Sequence, residues 1–358
     1  MKRHLVLLLF TAACSLFAVD EAWEAQRQRI LDRPREVFYN TDGNDTVCFA
    51  RGNLAREATP ENFKAERFVY CLGAETTTLS YCVGGCIGQV LYDSVVGTPQ
   101  LKSVDDTAAT GRNVLRELLD QGTDPMLLAV EFCREHNLEC FACYRMNDTH
   151  DSGHSAARPY ARWSPFKAAH PDALIGTERH RPPYCTWSAV DFAHPAVRKY
   201  YHDIVEEMCG RFDVDGFEYD FMRHAQLFRS VANGGKASQE ELDMLTGMMR
   251  DLRAVTEAAG HAKGRPLMVA VRVPDSVEYC RAIGIDIEKW LSERLIDILV
   301  TTSYFQLNPW RYTVELAHKY GVKAYASLDE SRIPRPHLPM GHRGALPSYH
   351  AEAMSAMR

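Results

Sequence analysis

Asp213-Val214-Asp215-Gly216-Phe217-Glu218-Tyr219-Asp220-Phe221-Met222-Arg223-His224 alternates aromatic with acidic or small side chains. Successive side chains of a strand point to opposite faces, so Gly216, Glu218 and Asp220 share one face and Phe217, Tyr219 and Phe221 the other. Three aromatic rings in a row suit a layer of helices. The acidic face must then look inward, towards the C-terminal mouth of a closed parallel sheet, the end at which barrel enzymes place their chemistry.

Outward from this strand, a short apolar run, a polar loop and an amphipathic helix recur. Strands are expected at 36–39, 78–82, 138–144, 214–221, 267–273, 296–301 and 323–327, rich in Val, Ile, Phe, Tyr and Cys and bounded by Gly, Pro, Asp or Asn. Between them, Thr123-Asp124-Pro125 opens a helix to about residue 137, with Pro in its first turn. Val197, Tyr201, Ile204, Val205 and Met208 fall at helical spacing. Ser238 and Glu241 form a capping box before the stripe Leu242, Leu245, Met249 and Leu252, with Gly260 as the expected stop. Asp286 opens another helix, and residues 313–320 end one at Gly321. Strand–helix alternation predicts parallel strands with helical crossovers, hence an α/β chain folded as a (β/α)8 TIM barrel. The 358 residues accommodate the roughly 250 that such a barrel needs. Only seven strands are marked, and 348–358 is helix-like and uncapped, so the eighth strand is expected beyond the given chain. An open doubly wound sheet is the alternative.

Lys2, Arg3 and His4 precede an apolar run from Leu5 to Ala13 and small residues up to Ala18, the order of a secretory signal. Residues 1–18 are therefore read as a leader and 19–358 as the barrel, in a secreted or periplasmic protein. A lipoprotein signal with Cys14 lipidated is the other option. The apolar run is too short to span a membrane. With a net charge of −6 and no Lys/Arg-rich run past the leader, nucleic acid and anionic membranes are not expected partners. The eleven cysteines are scattered. Cys140 and Cys143 lie three apart on one strand and face opposite ways, a poor zinc clip, so buried free thiols are expected.

Two carboxylates close together inside a protein cannot both ionise easily, so one of Glu218 and Asp220 should titrate high. A protonated acid beside an ionised one is the combination that glycoside hydrolysis uses. The alternative is that both pair with structural arginines such as Arg145 and Arg272. Residues i and i+2 of one strand are neighbours, whereas acid and nucleophile flank the scissile bond, so Asp275 or the pair Asp329-Glu330 at other strand ends is expected to complete the catalytic set. Substrate-binding candidates come from the remaining strand ends. They are Asp42 in Asn40-Thr41-Asp42-Gly43-Asn44-Asp45; Arg145, Asn147, Asp148 and His150 after the third strand; and His224, Arg272, Tyr304 and Trp310. Asp148, His150, Asp151 and His154 are also possible metal ligands, in a spacing that matches no specific motif, and no cofactor is expected. Asn147-Asp148-Thr149 and Asn44-Asp45-Thr46 are formal glycosylation sequons.

With these residues in view, the chain resembles the glycoside hydrolase-like family 10 barrels, a bacterial group of extracellular or lipoprotein sugar hydrolases. The likeness is carried by Tyr39-Asn-Thr-Asp-Gly-Asn-Asp45, Arg145-Met-Asn-Asp-Thr-His-Asp151, Asp213 to His224, and Val271-Arg-Val-Pro-Asp-Ser276. It implies a barrel from about residue 35 to 330 and a carbohydrate substrate. Gly216-Phe217-Glu218-Tyr219-Asp220 with His224 is also similar to the Gly-Phe-Arg-x-Asp strand of family 13 glycosidases, which implies Asp220 as nucleophile. Glu218 stands where that family has Arg. Family 18 enzymes end a similar strand with a catalytic Glu where this chain has Met222, which argues against a substrate-assisted mechanism. Three functions follow as expectations: a secreted carboxylate glycosidase, a metal-assisted hydrolase of polysaccharide ester or acyl groups, and a non-catalytic sugar-binding barrel.

Overall fold

The computed structural model describes residues 21–43, 57–73, 75–100, 113–160, 162–301 and 307–328. The leader with Cys14, the sequon at Asn44, Tyr304, the pair Asp329-Glu330 and the segment 348–358 lie outside these residues, and so does any eighth strand.

The strands are β1 (Val37–Asn40), β2 (Thr76–Gly84), β3 (Gln89–Val90), β4 (Thr98–Pro99), β5 (Glu139–Arg145), β6 (Gly216–Asp220), β7 (Met268–Val273), β8 (Ile298–Thr301) and β9 (Lys323–Ala326). The seven expected strands are β1, β2 and β5 to β9, and all their pairings are parallel. They lie side by side in chain order. A doubly wound sheet reverses its strand order at a switch point, and this one does not. The two-residue strands β3 and β4 are too short to leave a pattern in the sequence. β3 runs antiparallel to the end of β2, with Gly84 opposite Val90.

The sheet is rolled. Asn40 on β1 donates from Nδ2 to Glu218 Oε2 on β6 at 2.7 Å. β2 and β5 stand between those strands, and in a flat sheet three spacings would separate them by about 14 Å. The first and last described strands also approach each other, with the Phe38 and Tyr325 rings 6.1 Å apart and Lys323 Nζ 3.0 Å from Asp32. Inside the roll, Phe141, Met268, Ala270, Ile298 and Val300 form an apolar floor with Leu31, flanked by Phe38 and Tyr325. Outside it, Phe217, Tyr219 and Phe221 join the larger core with Leu245, Met249, Leu252 and Trp290 of the surrounding helices. This is a TIM-barrel architecture with one inward and one helix-covered face.

Gly216 begins the decisive strand because the floor needs space there. It is paired in register with Phe141, and a Cβ on it would lie 2.7 Å from the Phe141 ring and meet the Met268 carbonyl oxygen. Gly216→Ala is expected to cost about 1–3 kcal/mol, as overpacked cores do, measured by urea denaturation. An unchanged midpoint would contradict this account of the floor.

The helices start where their caps predict. Asp124 accepts from Met126 N at 2.8 Å ahead of Pro125–Glu135, and Ser238 and Glu241 form the capping box of Gln239–Lys263. Asp286 caps Ile287–Ser292. Gly260 does not end its helix. The chain continues to Gly264, which takes the left-handed conformation at φ 71°, while Gly260 lets Trp23 and the Arg265 carbonyl pack close. Pro60–Arg67, Val114–Asp120, Pro165–Ala169, Arg229–Ala232 and Val277–Ile283 are further helices, all too short for a periodic stripe to mark. Nine cysteines of the described residues are free thiols. Cys140 packs under the helices, and Cys143 faces inward, 3.2 Å from Asn40 Nδ2. No helix among the described residues is long and apolar enough to cross a membrane.

Candidate active site

The parallel register brings the acidic strand into a stacked arrangement. Glu218 lies between Cys143 on β5 and Ala270 on β7, and one layer nearer the mouth Asp220 lies between Arg145 and Arg272. Both acids are inside the barrel, with relative exposures of 1% and 0%.

Arg272 takes Asp220 as a fork, with Nε 3.0 Å from Oδ1 and Nη2 on Oδ2. The Met222 N–H adds a bond to Oδ1 at 2.9 Å. Burial alone would raise this carboxyl, but the Arg272 charge and hydrogen bonds outweigh it and hold Asp220 below the usual carboxylate range. Glu218 accepts at Oε2 from Asn40 Nδ2 and, at 2.5 Å, from Ser80 Oγ, while Arg272 Nε stays 3.9 Å from Oε1. Burial pushes Glu218 up. The more distant Arg272 opposes that without cancelling it, and the neighbouring Asp220 charge adds to it. The two carboxyls are thus driven apart, Asp220 towards the ionised form and Glu218 towards the protonated one.

A carboxyl whose folded pKa is raised stabilises the fold below its unfolded pKa, and that contribution disappears as pH rises through the folded value. Gln mimics protonated Glu and can accept both hydrogen bonds. Glu218→Gln is therefore expected to match wild type in acid and to melt higher at neutral and alkaline pH, read from Tm across a pH series. A variant that melts lower than wild type at high pH would show Glu218 to be held ionised.

Around these acids runs a chain of alternating charges. Asp42 is gripped by Arg145 and lies 3.1 Å from Arg223. Burial works against its charge, but the two guanidinium groups bring its carboxyl to about 2. Arg145 also reaches Asp148 Oδ2 at 3.2 Å, and Asp148 Oδ1 bonds both His150 Nδ1 and, at 2.9 Å, the His150 backbone N–H. Burial would raise Asp148, yet the His150 hydrogen bonds and Arg145 hold it well below the usual range. Cys82 belongs to the same group, its thiol drawn down by a hydrogen bond from Cys143 and, against burial, by Arg145. His224 stands with its ring 6.3 Å from that of His150, and burial lowers its pKa below the ordinary histidine value.

Other expected site residues occupy supporting places. Asn147 is buried and fully engaged as a pin, its Oδ1 accepting from Val190 N at 3.0 Å and its Nδ2 donating to Gln226 O at 2.9 Å. Asp275 is 2% exposed and accepts from the backbone N–H groups of Leu307 and Asn308, so it anchors the segment after β8 instead of facing Asp220. Trp310 is half-buried at the start of the helix Trp310–Lys319. Tyr304 and Glu330 lie outside the described residues.

The residues considered for a metal are not gathered. Asp151 pairs with Lys167 Nζ at 2.6 Å, His154 stacks on Trp163 at 4.2 Å, and His150 turns to Asp148. Among the described residues, His202, Asp203 and Glu206 are the one group with ligand atoms close enough to share an ion, on the helix Pro195–Arg211. Among the described residues, His150, Asp151 and His154 thus each face a different partner and do not converge on one point. Ser80, Cys82 and Arg223 escaped the sequence reading as site residues. Thr78, Ser80 and Cys82 form the small polar face of β2, a pattern visible once the inward side is known. Arg223 lies beyond the strand, where alternation no longer says which way a side chain points.

No family model matches the chain, and no curated protein sequence matches it. Among solved structures, it is similar to a family 18 N-acetylglucosaminidase from Paenibacillus barengoltzii, at 13% identity and a TM-score of 0.37, over 70% of this chain and 61% of that one. It is also similar to α-L-fucosidase isoenzyme 2 from Paenibacillus thiaminolyticus, at 11% identity and a TM-score of 0.43, over 90% of this chain and 49% of that one. A chitinase from Chromobacterium violaceum aligns at 13% identity with a TM-score of 0.38, over 82% of this chain and 68% of that one. The first two alignments span less than two thirds of the solved chains.

Proposed function

We propose that this chain is an exported glycoside hydrolase that acts on a poly- or oligosaccharide at the C-terminal mouth of its barrel, and that the glycoside hydrolase-like family 10 is where it belongs. The observation that carries the reading is a pair of buried carboxyls on one inward face, Asp220 forked by Arg272 at the strand end and drawn down by it, Glu218 one layer deeper and pushed up by burial. Hydrolysis of a glycoside develops positive charge at the anomeric carbon, and an ionised carboxylate at a strand end meets that charge. In this reading Asp220 is the nucleophile. Glu218 is a positioning residue beneath it, because a second charge there would share Arg272 and weaken its hold on Asp220. Asp42, Arg223 and the half-exposed His150 stand at the rim, where sugar hydroxyls need fixed donors and acceptors.

The second reading, a non-catalytic sugar-binding barrel, is favoured by one fact: both carboxyls are buried and already hydrogen-bonded from within. A glycan panel separates the two. The hydrolase reading expects turnover of at least one glycan by the full chain, with the anomer of the first product read by NMR and retained if Asp220 attacks. Binding without turnover supports the second reading and overturns the first.

A further inference from the structure

The hydrolase reading leaves a proton unassigned. The departing oxygen of a glycoside must be protonated, and the acid must stand beside the bond, not beneath the nucleophile. Glu218 lies one layer deeper than Asp220 on the same strand, Asp275 is occupied by backbone N–H groups, and Asp220 itself is the ionised partner.

The loop after β5 supplies a different group. Met146 N donates to Asp220 O at 2.9 Å, which keeps this loop beside the end of β6. Four residues further on, His150 has 47% of its side chain exposed while its partner Asp148 has 1%. Asp148 is braced on every side: Arg145 Nη1 at 3.2 Å on Oδ2, the His150 N–H at 2.9 Å and the Cys86 thiol at 3.7 Å on Oδ1. Its Oδ1 also meets His150 Nδ1. A buried carboxylate on one ring nitrogen fixes the tautomer and leaves the other nitrogen to carry a proton. His150 Nε2 has no hydrogen-bond partner among the described residues. Across from it stands His224, four residues beyond Asp220, with a buried Nδ1 that has no hydrogen-bond partner. The charged and titratable groups facing His150 are Asp148, with Arg145 behind it, and His224 from beyond the end of β6.

We infer that His150 is the proton-transfer residue of this site, oriented by Asp148, with Arg145 as the brace of Asp148. The inference rests on the hydrolase reading above and names its missing acid. In the first half-reaction an Asp220 oxygen bonds to the anomeric carbon as the bond to the leaving oxygen breaks. The electron pair of that bond goes to the leaving oxygen, which takes the proton from Nε2 of the imidazolium. In the second, neutral Nε2 takes a proton from water, the water oxygen bonds to the anomeric carbon, and Asp220 is released as carboxylate.

Leaving-group chemistry tests this in the full chain. A 2,4-dinitrophenyl glycoside departs without protonation, whereas a methyl glycoside does not. His150→Gln is expected to lose about 10²–10⁴-fold in kcat/KM on the methyl glycoside and only a few-fold on the dinitrophenyl one. The limb of the wild-type pH profile that reports deprotonation of the acid should vanish in the same variant. Asp148→Asn should show the same split to a smaller degree. Nitrogen-15 NMR of the wild-type imidazole should place the proton of the neutral ring on Nδ1, independently of any substrate. Equal losses on both glycosides, or a neutral ring protonated on Nε2 alone, overturn the inference and leave the hydrolase reading standing. A wild type inert towards both glycosides, and towards the wider panel, overturns both.

Discussion

Asp220→Asn is expected to abolish glycoside turnover while the barrel stays folded. Asn keeps the shape of the side chain and can accept one hydrogen bond from Arg272 and one from the Met222 N–H, but it carries no charge and is no nucleophile. Loss of a single charged member of a catalytic set costs on the order of 10⁴-fold in kcat. The fold should feel the change more modestly. Arg272 loses its ionised partner in a buried setting, at a cost of about 1–3 kcal/mol if it is left with one unmet donor. A carboxyl with a lowered folded pKa stabilises the fold above its unfolded pKa, and that contribution is lost as pH falls through the folded value. The deficit of Asp220→Asn should therefore be full at neutral pH and disappear in strong acid. Initial rates on the active glycan, with thermal melts from pH 2 to 8, check both parts. Full activity in the variant would end the assignment of Asp220, and an unfolded variant would show the Arg272–Asp220 pair to be a pillar of the barrel.

Lys167→Met is expected to be the most damaging single change to stability away from the acids. Lys167 and Asp151 are 1% and 0% exposed at their side chains, with Nζ 2.6 Å from Asp151 Oδ2 and 2.7 Å from Ser188 O. The Trp163 ring lies 5.7 Å from the ammonium and adds a cation–π contribution. Asp151 Oδ1 has no hydrogen-bond partner, so its charge depends on this lysine. Breaking a buried pair from one side leaves an uncompensated charge and costs about 3–5 kcal/mol. Removing both charges, in Lys167→Met with Asp151→Leu, should recover most of that loss. Urea denaturation of the two variants measures it. If the single variant loses less than about 1 kcal/mol, water reaches Asp151 and the pair is not a structural lock. The consequence extends to function, because this pair joins the loop that carries His150 to the segment around Ser188. Even a folded Lys167→Met should show weakened turnover.

What the sequence makes legible depends on range. Alternation along residues 216–221 is a local property, and it correctly separated the aromatic face from the acidic one. The seven parallel strands and the capped helices were legible for the same reason, since period and cap chemistry are set within a few residues. Gly260 misled because a glycine at a helix end signals termination or close packing equally well, and only the position of Trp23, more than two hundred residues away in the chain, separates the two.

The site divides along the same line. That two inward carboxyls should titrate apart was a consequence of their spacing alone. Which of them is drawn down depends on Arg272 sitting opposite Asp220, and not Glu218, in the β6–β7 register. The pairing of His150 with Asp148, the scattering of His150, Asp151 and His154, and the engagement of Asp275 by residues 307 and 308 depend on where loops return over the sheet. Strand and helix identity, and the direction each face looks, are fixed by neighbours in sequence. Partners, protonation and access come from groups brought together by the rolled sheet, and those only the tertiary structure could decide.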